Sequence, residues 1–290
     1  MQRKNNNSYN NANESIKNHN YPGLISAAFR AKLYKELLTL LYKANSEHIG
    51  SSLSCLDILT VLFFSEMGKA DKFILSKGHA VPSLYVILYF MGKMSRATLY
   101  SFHKDGTTLP AHPPQNLDRS IPFHSGSLGH GLSLSCGIAE SMRLLTPKNK
   151  KAARVYCLIS DGECNEGQVW EAAQYATKRQ LGNLIVLIDK NKLQAFGRTS
   201  DVLGDSASVE KWKSFGFETY SCNGHKPEEL QKTFDTIRSR NTMKPKVIIC
   251  DTIKGFGVSF MENKLEWHYH RLTDELYKKA MKEIDARYEN

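Results

Sequence analysis

The 290-residue chain reads as an α/β protein, with a doubly wound parallel sheet and helices on both of its faces. Four short apolar runs, at 155–159, 184–188, 217–220 and 247–250, are continuous rather than alternating, as strands buried on both faces are. Between them lie stretches of helical length and pattern at 167–178, 208–215 and 227–239, which gives the strand–helix repeat from which parallel sheets are built. Polar, glycine-bearing turns directly follow several of the strands, where open parallel sheets bind their ligands.

The elements follow in order. Residues 1–20 are rich in Asn, Ser and Lys and poor in large apolar side chains, so a disordered tail is expected there, with 21–290 forming one domain. Ile25, Phe29, Leu33, Leu37, Leu40 and Leu41 keep helical spacing, and that helix should end near Ala44 and Asn45. A polar turn through His48-Ile49-Gly50-Ser51-Ser52 precedes a second helix at 57–64 and a short strand at 73–75. Ser76-Lys77-Gly78-His79 then leads into a third helix. After a loop rich in Pro and His at 110–122, the turn Gly126-Ser127-Leu128-Gly129-His130-Gly131 opens an apolar helix that stops before Pro147. The closing stretch at 273–288 reads as an exposed, charged helix.

Composition narrows the function classes. With 41% hydrophobic and 23% charged residues the chain has the makeup of a soluble globular protein. Its longest uncharged apolar run, near 81–91, is about half of a membrane span, and no apolar leader opens the sequence, so a cytoplasmic protein without membrane contact is expected. The six cysteines form no CxxC pair and several lie in apolar runs, which favours buried thiols over disulfides or a zinc site. The formal charge of +10 is spread along the chain with no basic run interleaved with aromatics, so nucleic acid is not an expected partner. Phosphorylated substrates or an acidic partner protein remain compatible with it.

Two polar groups stand out at strand ends. Ser160-Asp161-Gly162 follows one apolar run immediately, and Asn191 follows the next after Asp189-Lys190. A carboxylate and an amide oxygen at one sheet edge suit a hard divalent cation such as magnesium, and Gly162 lets a phosphate approach the backbone. Taken singly, each reads first as a plain turn.

Asp161-Gly162 followed thirty positions later by Asn191 resembles the thiamine diphosphate motif, and Asp161-Gly162-Glu163-Cys164-Asn165-Glu166-Gly167 before Trp170-Glu171-Ala172 is similar to transketolases. Four further segments match that family in the same order. They are Glu47-His48-Ile49-Gly50-Ser51-Ser52, Leu75-Ser76-Lys77-Gly78-His79-Ala80, Ala111-His112-Pro113 and Gly126-Ser127-Leu128-Gly129-His130-Gly131. The resemblance covers roughly 25–270 and is to the N-terminal third of a full-length transketolase, as in the N-terminal subunits of split enzymes.

The resemblance implies the thiamine diphosphate-binding fold, with thiamine diphosphate and Mg2+ (or Ca2+ or Mn2+) as cofactors. Asp161, the Asn191 side chain and the Leu193 carbonyl would hold the metal. Gly162 and His79 would lie at the diphosphate and Gly126, Ser127 and Leu128 at the aminopyrimidine, with Asn191 also counted among the cofactor-binding residues. Glu163 and Glu166 keep the family's acidic positions beside the cofactor, with Glu166 facing the partner. His48, His112 and, with looser spacing, His268 match the family's proton-handling histidines. His103, His124, His225 and His270 fall outside the motifs and read as ordinary surface or core residues. Ser160 stands where most members have Gly, Ser127 where they have Pro and His130 where they have Gln.

In the family the glutamate that activates the aminopyrimidine comes from a separate pyrimidine-binding domain, for which 21–290 leaves no room. The resemblance therefore implies an α2β2 assembly with a C-terminal transketolase-like subunit, moving a two-carbon ketol unit between sugars or sugar phosphates. A 1-deoxyxylulose-phosphate synthase-like or 2-oxoacid dehydrogenase α-like subunit shares the Asp-Gly to Asn segment, but the Ser-Lys-Gly-His and His-Pro motifs favour transketolase. A nicotinamide enzyme would need GxGxxG after the first strand, which is lacking. A non-catalytic binding protein of the same fold would not need Asp161, Asn191 and the histidines intact.

Overall fold

The computed structural model describes residues 25–116, 121–147 and 149–288; the tail expected at 1–20 lies outside them. The strands are β1 (Lys72–Leu75), β2 (Val155–Ser160), β3 (Leu184–Lys190), β4 (Leu193–Gln194), β5 (Gly197–Arg198), β6 (Glu218–Asn223) and β7 (Lys246–Asp251). Five of them form one sheet in the order β1-β2-β3-β7-β6, every pair parallel, while β4 and β5 make a small antiparallel ribbon. Register pairs Ser160 with Asp189 and Lys190 with Asp251, so β2, β3 and β7 finish level along one edge.

The main helices are α1 (Ala27–Lys43), α2 (Ile49–Val61), α3 (Val81–Phe90), α4 (His130–Leu145), α5 (Gly167–Lys178), α6 (Val209–Ser214), α7 (Pro227–Ser239) and α8 (Asp274–Tyr288). Successive strand residues point to opposite faces. Tyr156 and Leu158 of β2 therefore join the core under α1, α2, α3, α7 and α8. Val155, Cys157 and Ile159 join a second core under α4, α5 and α6. This is the doubly wound sheet expected from the continuous apolar runs.

α2 runs through the middle of the first core, and every residue from Ile49 to Val61 is buried. With its continuation to Glu66 it is, among the described residues, the one helix long and apolar enough to cross a membrane, yet 83% of it is covered by the rest of the fold. A helix apolar on all sides belongs inside. That lack of a polar face also explains why its start at Ile49, rather than 57, leaves no periodic signal. Two other expectations shift. β6 is the edge strand and is only half-buried, and α8 buries Ala280 and Ile284 against the core while Tyr277 stacks on Tyr42 of α1, 4.3 Å between ring centres. Cys55, Cys136, Cys157, Cys164 and Cys250 are buried free thiols and Cys222 is half-buried.

Candidate active site

The level strand ends gather charge that the sheet interior would not tolerate singly. Asp189, the penultimate residue of β3, has no exposed surface and receives the Lys77 ammonium, the Thr252 hydroxyl and the Ser54 hydroxyl, the last at 2.6 Å. Lys77, equally buried, follows β1 and also donates to the Ser51 carbonyl at 3.1 Å. Burial alone would push Asp189 up and Lys77 down; each partner's charge reverses the direction, holding the carboxyl low and the ammonium high. This pair ties β1, α2, β3 and β7 together beneath the site.

Above it lies a set of oxygens. Asp161 Oδ1 accepts the Gly162 N–H at 2.9 Å, and Oδ2 accepts the Lys192 N–H at 2.6 Å and the Thr199 hydroxyl at 3.2 Å. The chain from β2 is thereby joined to the segment after β3. Asn191 turns its amide N–H toward Asp189, 3.3 Å away, and its Oδ1 accepts the Leu193 N–H at 3.1 Å. Asp161 and Asn191 are thereby joined through the 191–193 segment, the Lys192 N–H reaching the one and the Leu193 N–H the other. Burial, followed by the nearby Asp189 charge, raises the Asp161 pKa to about 6, so this carboxylate lacks the full positive compensation that Asp189 enjoys. No three His, Cys, Asp or Glu side chains cluster as metal ligands among the described residues, so any metal here would have the single carboxylate of Asp161 and rely otherwise on amide, carbonyl and borrowed oxygens.

Facing that set is Lys254, three residues past β7 and completely buried. Among the described residues its ammonium touches only neutral groups, the Leu193 carbonyl at 3.4 Å and His268 Nδ1 at 3.0 Å. Burial, then repulsion from Lys77, lowers its pKa to about 8. Close by, Gln194 Nε2 is buried with no hydrogen-bond partner among the described residues, and a Cβ on Gly162 would stand 3.0 Å from Gln194 Cβ. A buried ammonium on the Leu193 carbonyl and, on the next residue, an amide N–H without a partner among the described residues thus lie side by side, with Gly162 packed on the Gln194 side chain.

Three histidines meet beside it. The ring centres of His48 and His268 are 5.0 Å apart, those of His48 and His79 5.5 Å, and those of His79 and His268 5.7 Å. His48 caps α2 in the left-handed conformation at φ 62° and its N–H donates to the His268 carbonyl at 3.0 Å. Burial and the surrounding cations depress all three, His268 to about 3, so they stand neutral and able to accept or share protons. Because the Lys254 ammonium can only donate, His268 Nδ1 accepts and its ring proton sits on Nε2. His112 is half-buried near this group, its ring 3.8 Å from where a Cβ on Gly126 would be.

The turn at 126–131 packs on the turn after β1. Gly131 donates to Ser76 Oγ at 3.0 Å, Gly129, at φ 86°, donates to Glu163 Oε1 at 2.7 Å, and Ser76 donates to the same Glu163 carboxylate. Glu163 is therefore fully enclosed, its carboxylate holding two turns together, whereas Glu166, Gly126 and Ser127 are exposed and Leu128 is half-buried. Reading the sequence missed Lys254 and Gln194, and gave Lys77 and Asp189 no role. The signal for Lys254 was its place: Ile253-Lys254-Gly255 follows β7 much as Asp161-Gly162 follows β2.

A family model described as "Transketolase, thiamine diphosphate binding domain" matches residues 36–286. The chain is 37% identical over 264 residues to one subunit of the apulose-4-phosphate transketolase of Phocaeicola vulgatus, covering 88% of this chain and 92% of that one. It is 36% identical over 247 residues to the SqwG subunit of the 6-deoxy-6-sulfo-D-fructose transketolase of a Clostridium species, covering 82% of this chain and 88% of that one. Against human transketolase the identity is 34% over 251 residues, but only 39% of that enzyme is covered. Among solved structures, the transketolase of Campylobacter jejuni superposes with a TM-score of 0.79 at 27% identity, over 88% of this chain and 42% of that one. Use of thiamine diphosphate with a divalent metal is a general trait of proteins matching this model. With the family model spanning most of the sequence and separate transketolase subunits matched along nearly their whole length, the chain belongs to the transketolase family.

Proposed function

We propose that 21–290 is the cofactor-binding domain of a split transketolase, active in the cytoplasm as an α2β2 assembly with a pyrimidine-binding subunit. The observation that carries this reading is that Asp161 after β2 and Asn191 after β3 are joined through the 191–193 segment, whose Leu193 carbonyl meets a buried ammonium from beyond β7 that no carboxylate among the described residues pairs. The residues present fit the cofactor. Asp161, Asn191 and the Leu193 carbonyl offer hard oxygen ligands to Mg2+. Lys254, the orphaned Gln194 Nε2, His79 and the Gly162 backbone suit a diphosphate. The exposed turn of Gly126, Ser127 and Leu128 is assigned to the aminopyrimidine, Glu163 to holding that turn in place, and Glu166 to the face turned toward the partner.

When bound, thiamine diphosphate supplies the electron sink that breaking a ketose carbon–carbon bond requires. The chain's own residues position it, exclude water and manage protons. His268, with Nδ1 occupied by Lys254, presents Nε2–H to a sugar oxygen. His48 and His112 are kept neutral and can take a hydroxyl proton and return it. The reaction is transfer of a two-carbon ketol unit from a ketose to an aldose, and the matched subunits act on apulose-4-phosphate and 6-deoxy-6-sulfo-D-fructose by their names. Calorimetric titration of the chain with thiamine diphosphate and magnesium, alone and with the candidate partner, tests the reading. Magnesium-dependent binding that tightens with the partner is expected; no binding in either case would overturn it.

A further inference from the structure

Behind Lys254 lies a buried run of hydrogen bonds that the roles above leave unused. Arg30 of α1 grips Asp57 of α2 with two bonds, Nε to Oδ1 at 2.8 Å and Nη2 to Oδ2 at 2.9 Å, and Tyr34 donates to Oδ2 at 2.8 Å. Arg30 also donates to the His225 carbonyl at 2.9 Å. His225, two residues past β6, accepts the Ile253 N–H on Nε2 at 2.9 Å. Its proton therefore sits on Nδ1, which donates to Asp57 Oδ2 at 3.1 Å. The ring lies flat on Phe256, 3.5 Å between centres. Both ring nitrogens are spent inside the protein, so this histidine orients other groups and does not touch substrate.

What it orients is the loop at 252–256. Ile253 immediately precedes Lys254 and Phe256 follows it by two residues. Gly255 donates to the Gly50 carbonyl at 3.0 Å, and a Cβ on Gly50 would stand 2.9 Å from Lys254 Cγ. The lysine stem is thus threaded between α2 and a loop pinned from behind. We propose that His225, fixed by Asp57 and Arg30, is a positioning residue that sets the Lys254 ammonium at the diphosphate end of the site. The inference rests on the assignment of Lys254 made above.

Two substitutions separate positioning from general stability. In His225→Asn the shorter amide keeps a donor for Asp57 and loses the acceptor for Ile253; in His225→Gln the amide oxygen reaches the Ile253 N–H. Thermal midpoints should fall in both. In calorimetric titration of the full chain with thiamine diphosphate and magnesium, His225→Asn should bind about tenfold more weakly and His225→Gln within about threefold of wild type, as expected for one lost hydrogen bond. Without any ligand, amide exchange of 252–256 should accelerate in His225→Asn and stay slow in His225→Gln. Adding His225→Asn to Lys254→Met should cost no further affinity, because the group being positioned is gone. Wild-type affinity in His225→Asn, or equal weakening in both variants, would overturn the inference. Absence of binding by the wild type would count against the proposed function alone, and the exchange rates at 252–256 would still decide the positioning role.

Discussion

Replacing Lys254 with Met should make the chain more stable and worse at binding, and the structure gives the size of both effects. Below about pH 8 the folded chain holds a buried ammonium whose pKa has fallen from 10.5 to about 8, chiefly through burial. A lysine whose pKa drops on folding is charged more easily in the unfolded chain, so it opposes folding below that pH, and stability rises as pH climbs from about 8 to 10.5. The gap corresponds to ~3 kcal/mol, from which losing the contacts to Leu193 and His268 subtracts ~1 kcal/mol. Methionine keeps the length of the stem against Gly50 and removes the charge. The net gain of ~2 kcal/mol should raise the thermal midpoint by roughly 4–8 °C at pH 7, and little by pH 10. Affinity for thiamine diphosphate with magnesium should drop about tenfold to a hundredfold, the worth of one charge-assisted bond to a phosphate. Calorimetry and thermal unfolding read the two effects separately. A lower midpoint together with unchanged affinity would refute the view of Lys254 as an unpaired cation waiting for an anion.

Asp161→Asn should abolish magnesium-dependent cofactor binding while leaving the chain folded. Since burial and Asp189 raise the Asp161 pKa from 3.8 to about 6, its protonated form favours folding and that contribution is lost as pH rises through 6. Thermal unfolding should therefore show wild type losing ~3 kcal/mol relative to Asp161→Asn between pH 4 and pH 7. Lys77→Met leaves the Asp189 carboxylate buried without its counter-ion and should destabilise by ~3–5 kcal/mol in urea unfolding, with Asp189→Asn restoring much of the loss. His112→Ala should leave calorimetric binding nearly intact and slow turnover of the assembled enzyme about a hundredfold, as loss of a proton-handling group does.

How much of this was legible in the sequence follows from the range of each interaction. Continuous apolar runs at 155–159 and 184–188 announced strands buried on both faces, because that requirement is written into consecutive residues. The edge position of β6 was not legible, since half-exposure depends on which strand ends up beside it. α2 hid its first two turns for the opposite reason: buried on every side, it shows no 3.6-residue period. Asp161, Gly162 and Asn191 stand out in the sequence because they follow strands in an ordered motif, and His48, His79 and His112 because they lie in further motifs of the same series. Lys254 and Gln194 do not, because what marks them, among the described residues, is an ammonium with no carboxylate on it and an amide N–H with no acceptor, and both are properties of the space around them.

By itself, then, the sequence determined the order of strands and helices, the family, and the polar residues carried at the strand ends, all of which are local or spaced patterns along one chain. Only the tertiary structure decided which of those groups neutralise one another and which do not. Lys77 and Asp189 lie 112 positions apart and pair because β1 and β3 flank β2. Lys254 comes from β7, arrives at the same edge and, among the described residues, finds no carboxylate to meet it, only the Leu193 carbonyl and the His268 ring. Charge compensation falls off within a few ångströms in a buried site, so only the fold determines which charges are close enough to share it.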